Sequence, residues 1–419
     1  MRELTGETMK DQRGEEINNE PKNNNDQNPL AVFLIFLRLG LTSFGGPIAH
    51  LGYFREEFVS RRNWLSERSY ADLMALCQFL PGPASSQGGL ALGLSRAGYR
   101  GAVAAWAGFT LPSAIALILF ALGISNYGEM LPSGALHGLK IVAVAVVAQA
   151  VWGMARSLCT DVQRVTIMAA ATCAVLMFPN ALGQILLIIV AAVLGVLMFK
   201  PAHVIDHDAL PLKVGRRTGA AFLIVFFMLL SGLPLLAELT SSQTIALVDS
   251  FFRAGSLVFG GGHVVLPLLQ AEVVPSGWIT NEIFLAGYGA VQAVPGPLFT
   301  FAAFLGATMS SAPSGMIGGL ICLLSIFAPS FLLVVAALPF WEQLRRNARM
   351  QTALAGINAA VVGLLLAALF NPVWTSAIHK PQDFGLGLVA FVALLFWKQP
   401  PWLVVLGTGA AGWLMSSLI

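Results

Sequence analysis

Apolar positions gather into runs close to the twenty residues that span a bilayer as a helix, and such runs recur from residue 31 onward. They predict helices over about 31–50, 70–96, 99–123, 136–157, 163–178 and 181–199. Another falls near 219–238, and a second set covers about 245–267, 283–305, 315–338, 350–370, 384–397 and 400–418. The pattern predicts an all-α polytopic membrane protein with roughly thirteen transmembrane segments by spanning length.

Composition agrees. Hydrophobic residues make up 56% of the 419 and charged residues 11%, against about 25% charged in soluble domains, which excludes a water-exposed globule. Residues 1–29 hold seven acids and four bases, leaving 14 acids and 20 bases for the rest. That opening stretch lacks the apolar core beside a basic start that a cleaved signal requires, and it reads as a disordered cytoplasmic tail. The net charge of +3 is small and scattered over short loops, so there is no basic stripe for nucleic acid. Cys77, Cys159, Cys173 and Cys322 lie in or beside apolar runs without CxxC spacing and read as reduced packing residues. No HExxH, Walker, GxSxG or haem motif occurs, so neither a catalytic residue nor a metal or cofactor is expected.

Laid on itself, the chain repeats. Arg38, Gly40, Phe44, Gly45 and Gly46 recur as Arg253, Gly255, Phe259, Gly260 and Gly261, each 215 positions later. Trp64, Gln78, Pro81, Gly82 and Pro83 recur as Trp278, Gln292, Pro295, Gly296 and Pro297 at 214, and Pro112-Ser113 as Pro329-Ser330 at 217. Glu57 and Glu272 also align. The expected organisation is a tail (1–29), a first repeat (30–200), a linker with one extra helix (201–243) and a second repeat (244–419). Seven spans precede the second copy, and an odd offset inverts it in the membrane, a common plan for secondary transporters. Basic loops tend to stay cytoplasmic. Lys200, Lys213, Arg216 and Arg217, then Arg345, Arg346 and Arg349, Arg96 with Arg100, and Arg156 with Arg164 place the N-terminus inside and the C-terminus outside. Alternate counting leaves the loop with Arg55, Arg61, Arg62 and Arg68 outside. There it reads as a helix neutralised by Glu56, Glu57 and Glu67, as an anion-collecting vestibule, or as the sign of a re-entrant segment counted as a span.

Two matched motifs carry the candidate chemistry. Phe44-Gly45-Gly46-Pro47 and Phe259-Gly260-Gly261-Gly262 sit inside apolar spans. Adjacent glycines permit positive φ, and a proline removes an N–H, so each span should break there. A break at membrane depth survives only inside protein or beside a water-filled cavity, and the next helix start offers N–H groups to an anion. The bland alternative is a kink or a close small-residue crossing. Pro81-Gly82-Pro83 and Pro295-Gly296-Pro297 interrupt the following spans in the same way. Ser85, Ser86 and Gln87 follow the first, where Phe299 and Phe301 follow the second, so the first half is expected to give more polar contacts. Four interruptions suggest crossing broken elements around one central site.

Charges inside apolar spans cost about 2.5–3.5 kcal/mol each at a helix centre on insertion scales. Arg38 and Arg253 precede the glycine pairs by two turns, and a guanidinium fork suits a tetrahedral oxyanion. Structural ion pairing or snorkelling is the alternative. Lys140 aligns with Asn358, and reads as a binding cation or an interfacial anchor. Glu57 and Glu272 read as coupling carboxylates, ion-pair partners of the arginines, or solvated loop residues. Gln78 and Gln292 precede each Pro-Gly-Pro by three residues and suit either an anion or a freed backbone group. His50 and His263 do not align with each other and read as packed or capping residues.

Phe-Gly-Gly followed about thirty-six residues later by Pro-Gly-Pro, once per half, resembles the chromate ion transporter (CHR) family in its long, two-domain form, over nearly all of 31–419. The resemblance implies chromate efflux from the cytoplasm across the bacterial inner membrane, conferring chromate resistance, with sulfate as the related anion. Carried over by position, the family motifs fall on Gly45, Gly46, Pro47, Pro81, Gly82 and Pro83, and on Gly260, Gly261, Pro295, Gly296 and Pro297. Gly262 stands where the first copy has Pro47, so the second restart is expected to be looser. Export of a dianion from a negative cytoplasm gains about 2.3 kcal/mol per charge per 100 mV, so proton coupling is not required.

The expected protein is thus an alternating-access chromate transporter with a midplane site lined by Arg38, Gly45, Gly46, Ser85, Ser86, Arg253, Gly260 and Gly261. Its partners would be chromate, sulfate, the lipid bilayer and a second copy in a homodimer. A sulfate or other oxyanion permease is the alternative within transport. An intramembrane enzyme using Glu57 or His50 as base is the alternative outside it, disfavoured because the duplicated Gly/Pro framework offers no nucleophile–base pair.

Overall fold

The computed structural model describes residues 27–127, 132–200 and 214–418. The expected tail, apart from its last three residues, and Lys213 of the linker lie outside the described residues. Within them the chain is helical throughout, without a strand, and six helices are long and apolar enough to cross a membrane.

The first half opens with a helix that turns back on itself. In α1 (Pro29–Thr42) the Asn28 side chain accepts the Leu30 N–H, and proline occupies the first turn, where no intrahelical donor is lost. The helix stops at Ser43, and α2 (Gly46–Arg55) restarts after Gly45 and runs on through a π-helical turn, Glu56–Arg61. Residues 38 and 57 would stand about 28 Å apart on one straight helix. Instead Arg38 reaches Glu57 at 3.4 Å, and Phe36 stacks on Phe58 with ring centroids 5.1 Å apart.

The next pair does the same. Ser66 caps α3 (Glu67–Phe79) by accepting the Ser69 N–H, Pro81-Gly82-Pro83 interrupts, and α4 (Ala84–Tyr127) begins. Arg96 then lies over the Trp64 ring at 4.7 Å, so the start of α3 and the end of the first arm of α4 share one end of the molecule. The fold places the basic loop at 55–68 beside the Arg96 turn, not opposite it as alternate counting expects, because the spans at 31–50 and 70–96 double back instead of running through. Alpha-helix α4 is itself broken at Ala97 (φ −135°) and Gly98 (φ 60°). Its two arms fold so closely that a Cβ on Gly93 would strike the Gly101 carbonyl. Three further helices complete the half: α5 (Ser133–Leu158), α6 (Val162–Met177) and α7 (Ala181–Met198). The linking helix α8 (Arg216–Thr240) is peripheral, with Gly219 and Phe226 its buried residues.

The second half retraces this plan. Between α9 (Gln243–Leu257) and α10 (Val265–Val273) the chain folds back, bringing Arg253 to Glu272 at 3.3 Å. Between α11 (Asn281–Val291) and α12 (Phe301–Thr308) it folds back again, with Phe284 and Phe301 at 5.1 Å. The turn into α13 (Gly315–Ala337) is tightened by Gly306 against Gly318, counterparts of Gly93 and Gly101. The chain continues through α14 (Trp341–Arg346), α15 (Ala348–Ala368), a short turn α16 (Thr375–Ala377), α17 (Pro381–Leu395) and α18 (Pro401–Leu418).

The halves interlock. Asp72 of α3, 2% exposed, accepts from Arg345 and from the Trp341 indole N–H of α14, each at 3.0 Å. A large apolar core joins α4, α5, α9 to α13, α15 and α17, and a second packs α1 to α4 against α13.

Candidate functional site

The four helix breaks meet at one crossing through reciprocal bonds between the halves. Gly82 donates its N–H to the Val258 carbonyl at 2.7 Å, and Gly296 donates to the Ser43 carbonyl at 3.0 Å. Each Pro-Gly-Pro of one copy thereby holds the glycine break of the other. The breaks need glycine: φ is 102° at Gly45, 77° at Gly46, 121° at Gly82, 74° at Gly260, 151° at Gly261 and 103° at Gly296. The Pro-Ser repeat also crosses over. Ser330 Oγ lies 2.5 Å from where a Cβ on Gly82 would sit, and Ser113 Oγ 2.9 Å from that of Gly296, so neither glycine tolerates a side chain.

Beside this crossing lies a small polar cavity of about 90 Å³. Gly45, Gly46, Gln149, His263, Gln292 and Gly296 supply its polar edge, with α17 and the start of α18 closing it. Alpha-helix α2 starts here with Gly45 as cap, no side-chain cap hydrogen bond and Pro47 in its first turn, so it offers the positive dipole end and the first-turn N–H groups other than proline's. Gln292 Nε2 donates to the Tyr288 carbonyl at 3.5 Å, and the Tyr288 hydroxyl meets His263 Nδ1 at 2.7 Å. When that hydroxyl donates to Nδ1, Nε2 carries the ring proton. Uncapped amides, amide side chains and an imidazole, with no carboxylate lining the cavity among the described residues, make an arrangement suited to an anion with several oxygens. The volume accommodates about three waters, which a small anion can replace only after shedding its hydration shell.

The residues expected at the site do not come together in one place. Gly45, Gly46, Gln292 and Gly296 line the cavity, and Pro47 is in the first turn of α2. Pro81, Gly82, Pro83, Pro295 and Pro297 build the crossing itself. Ser85 and Ser86 are buried at the start of α4, with Ser85 Oγ 3.4 Å from His50 Nδ1 and the Ser86 hydroxyl unpartnered. Gln78 is exposed on α3. Gly260 and Gly261 lie outside this cavity, against Val361, the Asn358 amide oxygen and Met154.

The arginines stand outside the cavity in two ion-pair clusters at equivalent positions of the halves. Glu57 is buried among Arg38, Arg61 and Arg62 at 3.4, 3.0 and 2.7 Å. Arg253 pairs with both Asp249 and Glu272, one guanidinium for two carboxylates. Ion pairing, one of the readings open in the sequence, is therefore what Arg38, Arg253, Glu57 and Glu272 share.

Lys140 lies in a separate, larger cavity of about 670 Å³ near the other end of α5, together with His137, Glu282, His379, Lys380 and Asp383. Its sequence counterpart Asn358 instead sits against Gly260. Gln149 and His263 escape a sequence search centred on the repeat, because neither is duplicated. Gln149 did leave a signal: it is the lone strongly polar side chain in the apolar stretch 141–151.

A helical, multi-pass membrane protein whose broken helices enclose a polar cavity has the architecture of a transporter. The family model described as "Chromate transporter" matches residues 30–196 and 245–413. The chain belongs to the chromate transporter family, whose named relatives are transport proteins and not enzymes. It is 29% identical over 397 residues to a chromate transport protein of Pseudomonas aeruginosa, covering 92% of each chain. It is 26% identical over 388 residues to a probable chromate transport protein of Synechococcus elongatus, covering 90% of this chain and 93% of that one. An uncharacterised transporter of Methanocaldococcus jannaschii is 27% identical over 400 residues, covering 93% and 95%. No solved structure matches the chain.

Proposed function

We propose that this protein carries chromate out of the cytoplasm across the bacterial inner membrane and thereby confers chromate resistance, with sulfate as a competing substrate. The observation that carries the reading is the uncapped start of α2 opening on a polar, carboxylate-free cavity at the crossing of four helix breaks. In this reading Gly45, Gly46, Gln149, Gln292 and Gly296 hold the anion. The basic segment that carries Arg55, Arg61, Arg62 and Arg68 draws it in. The membrane potential is sufficient to drive a dianion outward.

The same reading orients the chain. Of roughly thirteen apolar segments, the four that double back (31–50, 70–96, 245–267 and 283–305) enter and leave on one side, and the other nine cross. Five crossings then precede the second copy, so the repeats remain inverted, with the N-terminus inside and the C-terminus outside. Support comes from loop charge: with these four segments folded back, Arg55, Arg61, Arg62 and Arg68 join Arg96, Arg100, Arg216, Arg345 and Arg346 on the cytoplasmic face.

Transport is tested by uptake of radiolabelled chromate and sulfate into everted vesicles with and without an imposed potential. Chromate accumulation that grows with the potential is expected, and no accumulation of either anion under any gradient would sink the reading. Orientation is tested by impermeant maleimide on Ser66→Cys and Ser276→Cys in intact cells. Only Ser276→Cys should react before permeabilisation, and equal reaction at both positions overturns the inversion.

A further inference from the structure

The larger cavity, lined by α5, α11, α18 and the turn before α17, has a charge arrangement that its location alone does not require. Six titratable groups among the described residues face it: His137 and Lys140 from α5, Glu282 from α11, His379 and Lys380 from the turn, and Asp383 from the start of α17. Asp383 is fully engaged. One oxygen meets His137 Nε2 at 3.0 Å, and the other accepts the backbone N–H groups of His379 and Lys380 at 3.0 and 2.9 Å. That carboxylate stitches the turn to α5 and leaves little acceptor capacity for a cation. Neither Lys140 nor Lys380 has a carboxylate within 4 Å among the described residues. Among the described residues, two ammonium groups without a carboxylate partner, Lys140 and Lys380, therefore face the cavity against one uncommitted carboxylate, Glu282.

Position adds a second argument. The same helices, α5, α11, α17 and α18, line both this cavity and the small one at the crossing. Nine residues separate Lys140 from Gln149 along α5, about 13 Å of helix. At about 670 Å³ the outer cavity has room for an anion with its hydration shell, whereas the inner one, at about 90 Å³, has room only for the bare ion.

We propose that the outer cavity is a second oxyanion site, where Lys140 and Lys380 hold a hydrated tetrahedral dianion on its way between the crossing and the face opposite the arginine-rich loops. The inference takes the class of anion from the transport reading, but its first test does not depend on flux. Wild-type protein in zwitterionic nanodiscs is acetylated with an impermeant amine reagent, and each lysine is followed by mass spectrometry. Sulfate should slow Lys140 and Lys380 about threefold relative to Lys398, as expected for an exposed charge pair, while chloride at equal ionic strength should not. Equal slowing of all three lysines, or of none, overturns the proposal. So does protection in a second set of discs made with phosphatidylglycerol when sulfate gives none in the zwitterionic discs, because the occupant is then a lipid headgroup.

The second test is directional. The double variant Lys140→Gln/Lys380→Gln should raise the half-saturating chromate concentration about fivefold when the anion is presented from this face. Presented from the opposite face, chromate should half-saturate the variant as it does the wild type. Unchanged values from both faces overturn the vestibule site and leave the transport reading standing, whereas absent wild-type flux removes the transport reading while the lysine-protection result stands by itself.

Discussion

Replacing Gly46 by alanine separates the backbone role of the first break from its role in binding. Gly46 has φ 77°, and a Cβ built on it meets nothing within 4 Å. The fold therefore loses only the left-handed strain of an L-residue, about 1–2 kcal/mol, against a stability of about 5–15 kcal/mol for a typical domain. The site loses more. Gly46 lines a cavity of about 90 Å³, and a methyl group, close to a water in size, fills about a third of it. If it displaces the anion from one charge-assisted N–H bond, about 1.5–3 kcal/mol goes with that bond, a ten- to hundredfold rise in half-saturation. Gly52 is the control: it lies in the same helix, a Cβ there also meets nothing, and alanine suits a helix interior. Chromate uptake into everted vesicles, normalised to protein abundance by fluorescence chromatography, should separate the two variants. Wild-type half-saturation in Gly46→Ala at normal abundance would refute the placement of the anion at the start of α2.

Three further outcomes follow from packing and polarity. Asp72→Ala strands Arg345, whose other carboxylate partner among the described residues is Glu342, and should remove about 3 kcal/mol; an unchanged melting temperature of the purified protein would discount this bridge between the halves. Gly93→Ala drives a methyl into the Gly101 carbonyl and should destabilise by about 1–3 kcal/mol, whereas Gly123→Ala, which meets nothing, should leave the melting temperature unaltered. Gln149→Leu keeps the volume of its side chain and loses the amide, so half-saturation should rise about tenfold at unchanged abundance; no rise removes Gln149 from the site.

Most of the framework was legible in the sequence, and what was not has identifiable physical causes. Duplicated Phe-Gly-Gly and Pro-Gly-Pro motifs located all four breaks, because backbone conformation leaves a residue signature that side-chain packing does not. Apolar length could not say which segments double back. A run of about twenty apolar residues with a glycine break has the same hydropathy whether it continues or reverses, and contacts such as Arg96 on Trp64 are needed to tell them apart. Ser85 and Ser86 read as ligands in the sequence because they are polar and follow a break; the structure buries both at the start of α4, with Ser85 beside His50. Long-range polar partners, such as His137 with Asp383 or Trp341 with Asp72, join residues about 250 positions apart, a separation at which one sequence carries no pairing information.

The reciprocal bonds at the crossing bear on why the chain is duplicated at all. Breaking a helix at membrane depth frees N–H and C=O groups, and hydrocarbon offers them no partner. Burying an amide without a hydrogen bond costs about 2–7 kcal/mol depending on the reference state. Here the freed Gly82 N–H is satisfied by Val258 and the freed Gly296 N–H by Ser43, each time across the halves. The hydroxyls of Ser330 and Ser113 likewise crowd the glycine of the opposite copy. Neither half supplies these partners to itself, so a single copy must find a second, either in the same chain or in another, before its breaks are tolerable. The anion cavity inherits this dependence: Gly45 and Gly46 come from one half, Gln292 and Gly296 from the other. What makes the broken backbone stable and what assembles the binding surface are therefore the same contact between the two repeats.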